Sequence, residues 1–352
     1  MRPWLVACRR TRLLRVLALA TAAALLAAGC ATAPAGGSTS VVTETFMIPA
    51  ADPGIALHLR NKRPAGVDRF GPERIVLFVH GATYPSETGF DIALPGGSWL
   101  EHAASRGFDA YLVDVRGYGR STRPAAMSAP PNANPPFADT ADAVKDVGAA
   151  VEFILKRRGA AKLNLVGWSW GTAIMGTYTA NHNAKVQRLV LYAPLYAMRE
   201  APPISGVGAY RAVTREPARQ RGVRGIPADR VEEISPRAWF DQWFDANLAT
   251  DPTGAAQNPP VVRAPNGVIK DIGDIWSKGR SPYDPAAIRV PTLLIIAEWD
   301  QDTPLYMAQD VFAKMTHSPD KRFIILGEGT HAIALEKNRM KLIREVQQFL
   351  EE

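Results

Sequence analysis

The stretch Asn164 to Thr172, reading NLVGWSWGT, constrains this chain more than any other. Apolar and β-favouring residues run into Gly167, then come Trp168, Ser169, Trp170 and Gly171, after which the small residues Thr172, Ala173 and Gly176 open a helical pattern. That pattern spells a strand, a very tight turn and a helix. A serine at such a corner sits in a strained backbone conformation that pushes its hydroxyl out above the sheet. The turn closes only if the residues two before and two after it lack side chains. Gly167 and Gly171 hold those positions. The helix that follows would aim its free N–H groups and positive dipole end at any oxyanion formed there. The plainer alternative is a glycine-rich turn in an α/β domain.

The rest of the chain supplies the context that such a corner needs. Val41 to Ile48 and Ile55 to Arg60 alternate around a Pro/Gly-containing break, as a hairpin-like entry to a sheet does. Ile75 to Val79 is a continuous apolar run, expected of a parallel strand buried on both faces, and it ends at His80, Gly81, Ala82. Ser98 can cap a short helix to about Ser105, and Ala110 to Val113 makes the next buried strand. Ala138 to Arg158 carries Val144, Val147, Val151, Ile154 and Leu155 on one helical stripe. The nucleophile-bearing strand Leu163 to Val166, a helix from Ser169 to about Ala180 and a strand Leu189 to Tyr192 follow. Strands alternating with helices imply a parallel sheet whose working edge is the carboxyl end of the strands.

From Pro194 to about Pro285 this rhythm fails, with only short helical pieces such as Pro236 to Leu248. Beyond Pro291 it returns with the strand Thr292 to Ala297, a helix from about Pro304 to Lys314, the strand Phe323 to Leu326 and a last helix from about Leu335 to Leu350. The interruption, about 195–285, reads as an inserted cap on one domain covering 41–352.

The formal charge of +7 is concentrated at the start of the chain. Five of the 41 Lys and Arg residues precede Cys30, where no acid occurs, leaving 36 bases against 34 acids. A body so nearly balanced makes no electrostatic case for nucleic acid. The basic segment Arg9 to Arg15 and the apolar run Val16 to Ala28 have the build of a secretory signal, expected over 1–29, and the run is short for a membrane span. It ends in LAAGC, which resembles the lipobox of bacterial lipoproteins. That resemblance implies lipidation of Cys30, an exported, membrane-anchored protein of the cell envelope, and a flexible linker over 30–40. With Cys8 inside the signal, the mature chain would keep Cys30 alone, so neither a disulfide nor a cysteine metal site is expected.

A serine nucleophile needs a base, and the base needs a partner that fixes its tautomer. Of six histidines, His331 alone follows a strand and a Gly-containing turn (GEGTH), which puts it on the same edge as Ser169. A carboxylate one strand-end away would come from the turn after TLLIIA, which offers Glu298, Asp300 and Asp302. The order serine, acid, histidine is the one used on this topology. Here the sequence resembles the α/β-hydrolase superfamily over nearly all of the mature chain. The superfamily acid motif G-E-x-D-x-x-x-P falls on Ala297, Glu298, Trp299, Asp300 and Pro304, which implies Asp300 as the acid, with Asp302 as fallback. Its HG-x motif after the third strand and the residue after the nucleophile imply an oxyanion hole from the N–H groups of Ala82 and Trp170. DVRGYGRS, Asp114 to Ser121, matches the superfamily's D-x-R-G-x-G-x-S, with Arg116 and Gly117 as scaffold, and His80 is expected to be structural.

Serine rather than aspartate at position 169 disfavours the superfamily's epoxide hydrolases and haloalkane dehalogenases. What remains is acyl transfer to water. Tyr84, Trp168 and Trp299 flank the catalytic positions as expected pocket residues, and Trp239, Phe240, Trp243, Phe244 and Trp276 of the cap could line an apolar acyl or aromatic site or simply pack the cap. The reading is a serine esterase acting on small-molecule carboxylic esters. The alternatives are an amidase or peptidase of the proline-iminopeptidase type and a non-catalytic binding lipoprotein. No metal, nucleotide or redox cofactor is implied, and oligomeric state is not encoded in any feature identified.

Overall fold

The computed structural model describes residues 40–200, 204 and 206–352. The expected signal peptide, Cys30 and nearly all of the linker lie outside the described residues. Ten strands occur among the described residues: β1 (Val41–Pro49), β2 (Ala56–Pro64), β3 (Ile75–Val79), β4 (Asp109–Val113), β5 (Leu163–Trp168), β6 (Val186–Tyr192), β7 (Tyr210–Val213), β8 (Val262–Pro265), β9 (Thr292–Ala297) and β10 (Lys321–Leu326). Eight of them form one sheet in the order β1-β2-β4-β3-β5-β6-β9-β10. β2 pairs antiparallel with both β1 and β4, and every other pairing in this sheet is parallel.

The central strands are apolar on both faces because both faces are covered. Ile75, Leu77 and Val79 of β3, Leu163 and Leu165 of β5, and Leu189 and Leu191 of β6 pack with the helices Thr140–Arg158, Trp170–Asn181 and Leu305–Lys314. Their alternates Val76, Phe78, Val166, Trp168, Val190 and Tyr192 pack on the other face with Trp99–Ser105 and Met340–Glu351. Each such fully buried side chain contributes about 1.5–3 kcal/mol. Period-two alternation thus assigns Trp168 and Tyr192 to the same face. In the parallel β5/β6 register they are direct partners, and their rings stack at 5.5 Å with 12° between planes.

Local signals set most element ends. The Ser98 side chain accepts from Glu101 N–H at the start of its helix. The long helix begins at Thr140 rather than near Ala138: Ala138 has φ 54°, and the Asp139 carboxylate caps the helix by accepting from Asp142 N–H. At its far end Gly159, φ 62°, gives the left-handed C-terminal turn. The last helix starts at Met340, five residues later than its periodicity suggests, because Ile333–Leu335 form a 3-10 turn and Glu336 folds back onto Thr330.

In the stretch between β6 and β9 the regular structure among the described residues is mainly short helices, the longest being Arg237–Ala249. It also contains a two-stranded antiparallel sheet, β7 with β8, which the sequence reading did not anticipate. Four-residue strands fifty residues apart leave no alternation long enough to read.

Two glycines are dictated by close approach. A Cβ on Gly167 would lie 2.4 Å from Gly171 O, and one on Gly171 would lie 2.6 Å from Val79 O and 2.7 Å from His80 O. Both collisions are with backbone, which cannot swing aside. Gly171→Ala is therefore expected to cost more than about 3 kcal/mol in urea unfolding, whereas Gly159→Ala, with open space around its Cβ, costs only about 1–2 kcal/mol for the left-handed backbone. Equal losses would contradict the close-approach account.

Candidate active site

Ser169 follows β5 immediately and precedes the twelve-residue helix Trp170–Asn181. Its backbone has φ 57° and ψ −117°, a conformation that costs a non-glycine residue about 1–3 kcal/mol. Neighbouring contacts over-determine it. Ser169 N–H donates to Tyr192 O at 2.9 Å, and Ser169 O accepts from Thr172 N–H and from Thr172 Oγ1. Thr172 Oγ1 in turn accepts from Leu195 N–H. The hydroxyl is left in the floor of a cavity that Gly81, Ala82 and His331 also line.

His331 lies in the turn after β10, and its Nδ1 is 2.8 Å from Asp300 Oδ2. The carboxylate that meets the imidazole is therefore that of Asp300, not Asp302. Asp300 is fixed by N–H donation from Asp302 and Thr303 to Oδ1, and by Thr303 Oγ1 to Oδ2. With Asp300 accepting, Nδ1 carries the proton and Nε2 is the free base atom. Asp302 faces the cavity instead, and Arg221 and Arg224 hold its carboxylate. Glu298 accepts from Glu328 N–H, bracing the β10 turn. Ser169 Oγ and the His331 ring share the cavity without a direct hydrogen bond, a looseness common before substrate binds.

The two N–H groups expected at an oxyanion hole, those of Ala82 and Trp170, have no acceptor within the protein among the described residues. Trp170 N–H is the first of its helix, where donors are unpaired and the dipole favours negative charge. Its side chain is structural: the indole is fully buried and donates to Thr140 Oγ1. The Ala82 loop comes so close to the serine that a Cβ on Gly81 would lie 2.9 Å from Ser169 Cβ. His80 shapes this loop. Val115 N–H donates to its Nε2, so its proton is on Nδ1, which donates to Gly81 O at 2.6 Å. Burial pushes the His80 imidazole below its ordinary range and keeps it neutral. Arg116 and Asp114 are scaffold as well. Arg116 forks onto buried Asp146, and Asp114 accepts from Ser86 N–H and lies against His58.

Of the expected pocket residues, Tyr84 and Trp168 line the cavity and Trp299 does not. The backbone of Trp299 packs on Gly225 and donates to Gly329 O, and its ring lies under the Arg230 guanidinium, 5.9 Å from the ring centroid. The turn after β9 thus sends Asp300 inward and Trp299 away. From the helical insertion, Trp239, Phe240 and Trp243 complete an apolar wall with Ala218 and Leu335, and Tyr84 meets Trp243 edge-on at 4.4 Å. Phe244 packs within the insertion, and Trp276 belongs to the main core. Burial pushes the Tyr84 phenol up to about 12, so it stays a neutral donor.

Sequence reasoning missed Thr303, which stands at an unspecified position of the acid motif, and Tyr192 and Glu336, which fall in no readable motif. Glu336 is buried in the cavity wall and accepts from Thr330 N–H and Oγ1, one residue before His331. Burial, opposed by those hydrogen bonds and reinforced by Asp300, raises its carboxyl to about 7.

This arrangement is that of an α/β-hydrolase enzyme. The family model described as serine aminopeptidase, S33, matches residues 71–338, and the chain belongs to that family. No curated protein matches it. Solved structures share the fold at low identity. A serine hydrolase from the polyaromatic-hydrocarbon-degrading bacterium Cycloclasticus zankles aligns at 16% identity and TM-score 0.57 over 88% of this chain and 98% of that one. Epoxide hydrolase I of potato, Solanum tuberosum, aligns at 16% and 0.54 over 88% and 99%. A thermophilic esterase from Thermogutta terrifontis aligns at 17% and 0.53 over 88% and 100%.

The raised Glu336 carboxyl has a consequence for stability. A carboxyl whose folded value lies above its unfolded one favours folding when protonated, so its contribution is full below about pH 4.5 and is lost as pH rises through about 7. Glu336→Gln keeps an acceptor for Thr330 and does not titrate. Its melting temperature is expected to gain roughly 3 °C or more on the wild type between pH 5 and pH 8, read by thermal melts across that range. A constant difference would contradict a buried, neutral Glu336.

Proposed function

We propose that this protein is a serine hydrolase that cleaves carboxylic esters with an apolar acyl or aromatic part through an acyl-enzyme. Ser169 is the nucleophile, His331 the general base and Asp300 its orienting partner. The observation that carries the reading is the 2.8 Å Asp300–His331 contact at a cavity whose floor is Ser169, beside two N–H groups without an acceptor among the described residues. In the acylation step Ser169 Oγ bonds to the ester carbonyl carbon while His331 Nε2 takes the hydroxyl proton. The carbonyl oxygen becomes an oxyanion that accepts from Ala82 and Trp170 N–H. Collapse breaks the bond to the alkoxy group, which leaves with the proton from His331. Water then repeats the sequence and releases the acid. Each preorganised oxyanion donor lowers the barrier by about 3 kcal/mol.

The preference for esters rests on the cavity wall. An aminopeptidase needs carboxylates free to hold a substrate ammonium group. The adjacent acids Glu232 and Glu233 are instead engaged by Arg219, Arg237 and Arg230, and Asp302 by Arg221 and Arg224. The wall is otherwise mostly apolar, with Tyr84, Trp168, Trp239, Phe240 and Trp243 among its residues. The family's description as serine aminopeptidases keeps amide cleavage as the second reading. Serine at position 169, where the epoxide hydrolases of the superfamily attack with a carboxylate, speaks against epoxide opening.

Kinetics on p-nitrophenyl esters and aminoacyl p-nitroanilides test both readings. Ser169→Ala is expected to lose at least about 10⁴-fold in ester kcat/KM, and Asp300→Asn about 10³- to 10⁴-fold. Asp302→Asn stays within about tenfold, because it touches only the cavity wall. Undiminished hydrolysis by Ser169→Ala would discard the assignment, and a preference for anilides would make the protein a peptidase.

The LAAGC segment supports an exported, lipid-anchored form held through Cys30. In a bacterial host, labelled palmitate is expected to enter the wild type and to be lost, with membrane association, in Cys30→Ser. Retained label in Cys30→Ser would contradict the anchor.

A further inference from the structure

Ring contacts to Asp300 orient the imidazole, yet they do not by themselves keep the residue's main chain in place. His331 lies in a turn, and among the described residues the hydrogen bonds to its backbone are two, both to its carbonyl oxygen. Trp168 Nε1–H donates at 3.1 Å and Tyr192 Oη–H donates at 2.7 Å. A carbonyl oxygen has two lone pairs, and these donors fill both.

The origin of the donors matters more than their number. Trp168 is the residue before Ser169, and Tyr192 O is the acceptor of Ser169 N–H. The two residues are register partners on one face of the sheet, and their stacked rings present N–H and O–H side by side. The backbone that sets the nucleophile and the groups that hold the base are therefore one rigid unit. Burial holds the Tyr192 phenol well above its usual range, so it remains a donor across all working pH.

Resting on the acyl-transfer reading, we propose that Trp168 and Tyr192 are positioning residues that clamp the His331 carbonyl and so fix the imidazole relative to Ser169. Trp168 has a second face on the cavity, whereas Tyr192 does not line it. Tyr192→Phe is consequently the cleaner probe, since it deletes one oxygen and leaves the ring, the cavity wall and the backbone acceptor of Ser169 N–H in place. Trp168→Phe deletes the other donor. A packing role alone lowers the melting temperature and leaves the folded enzyme's rate unchanged. A clamp acts on the rate at temperatures far below melting, because an ångström of misplacement at a reacting group costs on the order of 100-fold.

The test uses the mature chain with two readouts. One is the second-order rate of fluorophosphonate labelling of Ser169, with Ser169→Ala as blank. The other is the ring NMR signal of His331, assigned by its loss in His331→Ala. Each single variant is expected to label roughly 10- to 100-fold more slowly, with ester KM for Tyr192→Phe within about twofold and the His331 signal broadened or doubled. The double variant should be no more than about threefold slower than the worse single one, as for two donors to one atom. Labelling within twofold of wild type together with a single sharp His331 signal in both variants overturns the clamp. If the wild type itself does not label, the acyl-transfer reading fails separately. The NMR signal then decides alone: doubling supports the clamp and an unchanged line overturns it. Should one variant fail to fold, the other carries the same two outcomes.

Discussion

Everything at this site depends on one unfavourable backbone conformation. Ser169 is held at φ 57°, where an L-residue is strained, and the hydroxyl is presented to the cavity only because it is held there. The strain is tolerated because three neighbours have no Cβ. Gly167 and Gly171 let strand and helix cross within atomic contact, and Gly81 lets the Ala82 loop lie against the serine. A hydrogen bond from Ser169 N–H to Tyr192 O then ties the corner to the next strand. The Ser169 hydroxyl, the helix N-terminus and the Ala82 loop are consequently set by the same close packing.

Around that corner the molecule separates groups that titrate from groups that must not. His80, although aromatic, basic and two residues from Ala82, is locked as a neutral donor between Gly81 O and Val115 N–H. Arg116 and Asp146 neutralise each other under the surface, as do Arg263 and Asp251 in the insertion. Such pairs are poor evidence for stability, since desolvation offsets most of their attraction. Their effect is geometric: the first ties the loop after β4 to the helix Thr140–Arg158, and the second ties β8 to Asp251. Asp302 is the charged group of the acid turn that does reach the cavity, and its two arginines bind the core to the insertion at the cavity wall.

Much of this was legible in the sequence wherever neighbours in space are neighbours in the chain. The strands Ile75–Val79 and Thr292–Ala297 and the elbow at Ser169 follow from local spacing, and strand-end logic narrows the partner of His331 to the acids of one turn, among which the resemblance to the α/β-hydrolase motif implied Asp300. Trp299 was misread because the direction of a turn decides which of two adjacent side chains enters a cavity, and no composition encodes it. Tyr192 was invisible for a different reason. Nothing around it is a motif, and its role arises from the β5/β6 register, which brings it beside Trp168, and from the β10 turn, which lays His331 across both. Thr303 and Glu336 act through short-range hydrogen bonds, to Asp300 three residues away and to Thr330 six residues away, which no motif or periodicity singles out. The short β7/β8 sheet went unseen because strands of four residues carry no period.

The most direct measurement is a crystal structure of the mature enzyme after reaction with a fluorophosphonate ester. The expected result is phosphorus bonded to Ser169 Oγ, with one phosphonyl oxygen within about 3 Å of both Ala82 and Trp170 N–H and His331 Nε2 turned to Oγ while Nδ1 stays on Asp300. Phosphorus on another residue, or a phosphonyl oxygen that avoids both N–H groups, would contradict it.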